Sequence, residues 1–299
     1  MSQIRLAHFS DPHLPPPPMR LGLADAISKR ALSRFAWRRK RKTHRPEVLA
    51  ALVADIHAHA PDHLVLTGDL TNFSTVEEYA AATRWLESLG PAESVTVSPG
   101  NHDALIGARA GDPLQAWGPW LGDAADGTFP GVRVRGPVAL VNLCTAAPTA
   151  LHLAQGRLGA DQLRRLGELL RTLRDAGLYR LVMLHHPIAE GAVSSRKALT
   201  DAAALRELLA QEGAELVVHG HAHLSLVTHV PGRGGPIPVL GVASASAAPR
   251  RHSEPARWHE LTITRTPDGF DTRVAARRIN VAGAFEPLGA YRLTSTARR

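Results

Sequence analysis

The sequence predicts an α/β fold, and three observations predict it. Apolar runs of strand length alternate with segments whose apolar residues recur at helical spacing. Five of the strand-like runs end in short clusters of Asp, Asn, His and Gly. The composition is ordinary for a globular chain of 299 residues, 44% apolar and 21% charged, with 25 Gly and 22 Pro. That balance excludes a disordered, collagen-like or disulfide-stapled protein. With no internal repeat and no long flexible linker, one domain over residues 1–299 is expected. It would carry a basic helical insertion at about 15–45 and a β-rich portion at about 224–299.

The elements follow in order. A strand over 4–9 runs into the turn signal Ser10-Asp11-Pro12. Residues 45–59 place Val48, Leu52, Val53 and Ile56 at helical spacing, with Pro46 in the first turn, where its missing N–H costs nothing. A strand over 63–67 leads to Gly68-Asp69, and a helix over 77–89 is closed by Gly90-Pro91. The strand over 94–98 leads to Pro99-Gly100-Asn101-His102-Asp103. Runs at 132–135 and 138–143 read as a strand pair around Gly136-Pro137. An amphipathic helix over 161–176 precedes a strand over 179–184 that ends at His185-His186-Pro187. A helix over 201–211 precedes a strand over 214–218 that opens into His219-Gly220-His221-Ala222-His223. Further strand-like runs lie at 224–230, 237–242, 258–264 and 270–276.

No run approaches the roughly 18 apolar residues of a membrane span. The start, MSQIRLAHFSDPHL, lacks the pattern of a secretory signal. A single cysteine, Cys144, fits a reducing compartment, reads as a small buried hydrophobe, and makes a cytoplasmic setting the expectation.

The net charge of +8 is local. Residues 20–45 hold ten Lys and Arg against one acid, Asp25, so that segment is +9 and the remainder −1. After the stiff run Pro15 to Pro18, Leu21, Ala24, Ile27, Ala31, Phe35 and Trp37 recur near helical spacing among the cations. Three readings stay open. The segment is an interfacial helix on an anionic membrane, peripheral at the inner face. Alternatively, it is a lid whose arginines grip a polyanionic substrate. In the third reading it is a helix that packs its apolar stripe and leaves its charges solvated. No nucleic-acid-binding motif accompanies the patch, and no feature of the sequence sets an oligomeric state.

The strand-end clusters carry the chemistry. Asp-x-His is a weak signal alone, and Asp55-Ile56-His57 is a decoy on a helix, where positions two apart diverge. Asp11 and His13 follow a strand, where such positions face one way. Gly-Asn-His-Asp is strong: a chain of this composition should hold about 0.001 of them by chance. Loops at strand ends converge on ligands in open α/β sheets. The donors Asp11, His13, Asp69, Asn101, His185, His221 and His223 are too many for one tetrahedral ion and suit two ions that share a carboxylate. Mixed imidazole, carboxylate and amide donors favour Mn, Fe or Zn.

These motifs in this order resemble the calcineurin-like metallophosphoesterase superfamily, over residues 11–223. The resemblance implies an αββα sandwich, a four-layer α+β arrangement within the α/β class, with a dinuclear site at the strand ends. It gives Asp11, His13 and His223 to one ion and Asn101, His185 and His221 to the other, with Asp69 between them. It makes His102 the proton donor to the leaving oxygen and Asp103 the residue that orients His102. The implied activity is metal-dependent hydrolysis of a small phosphate ester, foremost a phosphodiester, by attack of a metal-bridging hydroxide.

His185-His186-Pro187 and Gly68-Asp69-Leu70-Thr71 further resemble the bacterial class III cyclic nucleotide phosphodiesterases. Phosphomonoesterases and UDP-diacylglucosamine pyrophosphohydrolases share these motifs, and the insertion after His13 departs from the compact members. A phosphomonoesterase, a membrane-associated pyrophosphohydrolase of a nucleotide-linked lipid, and a non-catalytic adaptor with the same fold are the alternatives. His186 and His219 are expected to be structural or to orient ligands, and His57, His59 and His63 to be solvated at helix ends. The small residues Ala243 to Ala248, with Arg250, Arg251 and His252, read either as a pocket wall with phosphate contacts or as an ordinary loop.

Overall fold

The computed structural model describes residues 2–18, 37, 42–105, 117–124, 128–150, 152–250 and 253–293. Most of the basic insertion, together with Arg251 and His252, lies outside the described residues. The interfacial-helix, lid and solvated-helix readings therefore fall largely outside them too.

Twelve strands lie among the described residues: β1 (Gln3–Phe9), β2 (His63–Leu66), β3 (Val95–Val97), β4 (Gly131–Arg135), β5 (Val138–Asn142), β6 (Tyr179–Met183), β7 (Leu216–His219), β8 (Leu226–Val230), β9 (Ile237–Gly241), β10 (Arg257–Thr266), β11 (Gly269–Ile279) and β12 (Phe285–Leu293). The α-helices among the described elements are α1 (Pro46–His59), α2 (Val76–Leu89), the single turn α3 (Gly118–Leu121), α4 (Ala160–Asp175) and α5 (Ala202–Glu212). One sheet has the order β12-β11-β10-β1-β2-β3, the other β4-β5-β6-β7-β9-β8. The strands that end in motif clusters run parallel within each sheet, β1-β2-β3 in the first and β6-β7 in the second. Their C-terminal ends consequently gather along one edge.

Alternation along the strands builds the layers. In β1, Ile4 and Leu6 face the other sheet and pack with Leu140, Leu181, Met183 and Val218. Ala7 and Phe9 face the opposite way, onto Leu49 and Leu52 of α1 and Leu86 of α2. The far face of the second sheet offers Ala139, Val141, Val182 and Val217 to Leu166 and Leu170 of α4 and Leu205 and Leu209 of α5. Three apolar layers between four structural ones make the αββα sandwich. Burial of such aliphatic side chains at about 1.5–3 kcal/mol each makes it the dominant stabilising term.

The helices start where local chemistry says they should. Pro46 occupies the first turn of α1. Thr75 caps α2 in a reciprocal box with Glu78. The strand β12 is a departure from the sequence pattern. It carries Pro287 and Gly289 and is exposed along most of its length, so no apolar alternation announces it. The turn α3 is equally unsignalled. His63 corrects an expectation, since it opens β2 rather than ending a helix. It is 1% exposed and its Nε2 meets Thr96 Oγ1 at 2.8 Å. Cys144 lies just past β5 and is half-buried.

The decoy carboxylate has a structural role. Asp55 of α1 accepts hydrogen bonds from Arg277 Nε at 2.7 Å, Arg277 Nη2 at 2.8 Å and Trp258 Nε1 at 2.8 Å. It thereby pins the helix to β10 and β11. Burial alone would raise its pKa, but these donors and the Arg277 charge hold it below the usual carboxylate range. A depressed carboxylate pKa stabilises the fold above the unfolded value and loses that contribution as pH falls through the folded one. Asp55→Asn is expected to cost about 2 kcal/mol in urea denaturation at about pH 7. The difference from wild type should shrink as pH falls below the unfolded carboxyl value of about 3.9 and on through the lower folded one.

Candidate metal centre

Five strand ends deliver seven donor side chains to one place. Asp11 and His13 follow β1, Asp69 follows β2, Asn101 follows β3, His185 follows β6, and His221 and His223 follow β7. The first sheet thus gives four donors and the second three. Six are buried, and the seventh, His223, is half-buried.

The donors fall into two groups. Ligand atoms of Asp11, His13, Asp69 and His223 lie within 4.8 Å of one another, as do those of Asp69, His185 and His221. In the first group His13 Nε2 stands 3.3 Å from His223 Nε2 and 3.8 Å from Asp69 Oδ2. In the second, His185 Nε2 stands 3.4 Å from Asp69 Oδ1, 3.2 Å from Asn101 Oδ1 and 3.2 Å from His221 Nδ1. Asp69 belongs to both. The structure brings together all seven residues that the sequence singles out.

Each imidazole of the second group has its other nitrogen engaged. His185 Nδ1–H donates to the Thr67 carbonyl at 2.7 Å, and His221 Nε2–H donates to that of Lys197 at 2.9 Å. Such bonds fix the tautomer and present the remaining nitrogen as a lone-pair donor. In the first group, Asp11 Oδ1 is buried and makes no hydrogen bond with a described residue, although His223 Nε2 is 3.2 Å away. An orphaned carboxylate oxygen facing imidazole nitrogens is costly unless a cation sits between them. Burial would lower the His185 pKa, but the Asp69 and Asp11 charges and the Asp69 hydrogen bond drive it up to about 9. Without a cation these carboxylates draw a proton onto a buried imidazole. The donor set fits metal ions.

The backbone is specialised for this edge. Asp11, His13, Asp69, His221 and His223 all adopt left-handed φ, between 43° and 64°. Asp and His tolerate that region better than most residues, and the turn aims each side chain back across the strand ends. A Cβ at Gly100 would collide with the Asp69 carboxylate, and one at Gly220 with Ser10 Oγ and the Asp11 carboxylate. Those two motif glycines make room for the donors.

His102 lies half-buried at the rim, its ring centroid 5.2 Å from that of His13 in an edge-on arrangement. The expectation that Asp103 orients it needs correction. His102 Nδ1–H donates to the Asn72 carbonyl at 3.0 Å. The Asp103 carboxylate is taken up by the backbone N–H groups of Asp69, Thr71 and Gly100 at 2.8–2.9 Å and by Thr71 Oγ1 at 3.0 Å. It ties the Asp69 loop to the Asn101 loop. Orphan N–H groups of two tight turns need an acceptor there, and a buried carboxylate supplies several lone pairs at once. Glu78 of α2 extends the bracing by accepting from the Asn72 and Phe73 N–H groups at 2.9 Å.

His186 and His219 belong to neither donor group. His186 is held on both nitrogens, by Thr145 Oγ1 at 2.8 Å and the Ala154 carbonyl at 3.2 Å, and burial pushes its pKa down to about 3. The loop over 243–248 braces the site. Ser244 Oγ donates to the Asp11 carbonyl at 2.7 Å. Arg250 reaches back to the Lys42 carbonyl. One residue escapes sequence reasoning altogether. His44, at the end of the insertion, is 5% exposed, and its ring centroid lies 4.4 Å from that of His13. It sits in no motif, and only the tertiary fold brings it here.

A model of the calcineurin-like phosphoesterase family matches residues 4–225. A protein of Synechococcus sp. described as a probable cyclic nucleotide phosphodiesterase is 29% identical over 224 residues, 74% of this chain and 78% of the relative. A dimetal phosphatase from Danio rerio superposes with a TM-score of 0.56 at 13% identity, covering 91% of this chain and 95% of its own. A purple acid phosphatase from yellow lupin (Lupinus luteus) superposes at 0.60 with 11% identity, covering 97% of this chain and 53% of its own. At these identities the structural likenesses establish the fold.

A ligand that binds only the folded state raises its stability. Mn²⁺ should therefore raise the thermal midpoint of chelator-treated protein, read by differential scanning fluorimetry. Asp69→Asn, which removes the carboxylate common to both groups, is expected to abolish most of that rise.

Proposed function

The chain belongs to the calcineurin-like phosphoesterase family and is a metal-dependent phosphoester hydrolase, and from that premise we propose that it cleaves a phosphodiester at a two-ion centre. The observation that carries the reading is the pair of donor groups sharing Asp69, with the His102 imidazole at their rim. Asp11, His13, Asp69 and His223 would hold one ion, and Asp69, Asn101, His185 and His221 the other. Mn, Fe and Zn all suit this donor set. A bound pair of ions supplies a nucleophile from water near neutral pH and neutralises charge on the phosphate oxygens.

The chain's own residues do the remaining work. His102 donates the proton that the departing alkoxide needs. Imidazole is the side chain best suited to proton transfer at neutral pH. The Asn72 carbonyl fixes Nδ1–H, so Nε2 is the atom that delivers the proton. Asp103 is a positioning residue, acting through the two loops it ties together. The His102 N–H donates to Asp69 Oδ1 at 2.8 Å and keeps that carboxylate in register with both groups.

The diester preference draws support from the Synechococcus relative, described as a probable cyclic nucleotide phosphodiesterase. No helix among the described residues is long and apolar enough to cross a membrane.

Two measurements test this reading. Mn-loaded protein should hydrolyse bis-p-nitrophenyl phosphate faster than p-nitrophenyl phosphate, and the reverse preference would make it a phosphomonoesterase. His102→Ala should lower turnover by about 10²–10⁴-fold while metal content, read by plasma mass spectrometry, stays that of the wild type. Equal loss of metal would make His102 a structural residue.

A further inference from the structure

The end of the insertion brings one more histidine to the metal edge. His44 is buried, and with His13 and His223 it forms a third donor group whose nitrogens lie within 4.8 Å of one another. The carboxylates of Asp11 and Asp69 lie outside that group. The three imidazole centroids are 4.4 Å (His13–His44), 5.2 Å (His13–His223) and 5.4 Å (His44–His223) apart. His44 is therefore on the outer side of the first donor group, away from the Asp69 carboxylate.

Its ring is set in place as metal-binding imidazoles are. His44 Nδ1 pairs with Ser246 Oγ at 2.9 Å, with Ser244 Oγ at 3.3 Å. Coordination would then run through Nε2. The same Ser244 hydroxyl holds the Asp11 carbonyl, so one loop braces both a carboxylate donor and His44. The backbone around His44 is stitched to that loop as well. Arg45 N–H donates to the Ser246 carbonyl at 2.8 Å and Ala248 N–H to the Thr43 carbonyl at 2.8 Å. The Trp37 ring stacks parallel to the His44 ring, 9° from coplanar with centroids 6.1 Å apart. An imidazole that is buried, braced at Nδ1 and stacked on an indole has lost most of its freedom. That is the preorganisation a metal ligand needs.

We propose that His44 gives the outer ion a second, all-imidazole seat with His13 and His223, beside the seat that includes Asp11 and Asp69, and thereby tilts the centre towards zinc over manganese. Imidazole donors suit Zn²⁺, whereas carboxylate donors suit Mn²⁺. Three imidazoles with an open fourth position are a ligand set that Zn²⁺ accepts in catalytic sites. An ion drawn towards His44 exchanges carboxylate for imidazole ligation, a trade that favours Zn²⁺. The inference rests on the two-ion reading of the centre.

The test is competitive titration of chelator-treated protein with Zn²⁺ and Mn²⁺, comparing wild type with His44→Gln and Ser246→Ala. His44→Gln should still bind two ions, with the Zn²⁺ to Mn²⁺ affinity ratio reduced at least about tenfold for one of them. Ser246→Ala keeps the donor but frees its ring, and should reduce the ratio by less. It carries the test if His44→Gln fails to fold. X-ray absorption of the zinc-loaded protein should lose imidazole scattering in His44→Gln. If both variants bind two ions with the wild-type ratio, His44 is not a ligand and the inference fails alone. If the wild type itself takes up fewer than two ions, the two-ion reading fails and takes the inference with it.

Discussion

The carboxylates of Asp11 and Asp69 are buried within reach of the same imidazoles, and the rest of the structure works to keep them there. Taking a carboxylate out of water costs several kcal/mol unless a compensating charge is close. Five donor residues also sit in left-handed backbone, at a further cost of order 1 kcal/mol each. A chain without a cation to hold gains nothing from such strain. Asp103 and Glu78 add two more buried carboxylates, but their lone pairs are taken by the backbone N–H groups of the loops that carry the donors. The bracing is what lets a strained edge hold one geometry.

The sandwich makes the edge possible. Four of the donors come from the first sheet and three from the second, so neither sheet could assemble a centre alone. Leu6, Leu140, Leu181, Met183 and Val218 hold the sheets face to face, and their packing fixes the distance between Asp69 and His185. A cavity in that layer would act on the site at a distance, because close-packed interiors transmit displacement. Fold stability and metal affinity are in this sense one property.

Much of this architecture is legible in the residue pattern. The parallel strands show as apolar runs closed by Asp, Asn, His and Gly, and the tight motifs mark which residues meet. What stays hidden is hidden for physical reasons. The strand β12 is exposed and interrupted by Pro287 and Gly289, so it lacks the burial that writes a pattern. His44 lies in a segment whose charge dominates its pattern, and its meeting with His13 depends on the loop over 243–248. Asp103 stands next to His102 in its motif, and that adjacency suggests a side-chain partner. The hydrogen bonds show it serving backbone groups instead, a demand that no residue pattern displays. Asp55 and His57 match a motif by spacing alone, and the helix turns Asp55 to an arginine in another layer.

In the two-ion reading the Asp69 carboxylate lies between two cations. Anomalous diffraction from Mn-loaded crystals, collected at the manganese edge, would locate both ions. Two peaks about 3.5–4 Å apart are expected, one on each side of the Asp69 carboxylate. A single peak, or two that do not share Asp69, would overturn the two-ion reading.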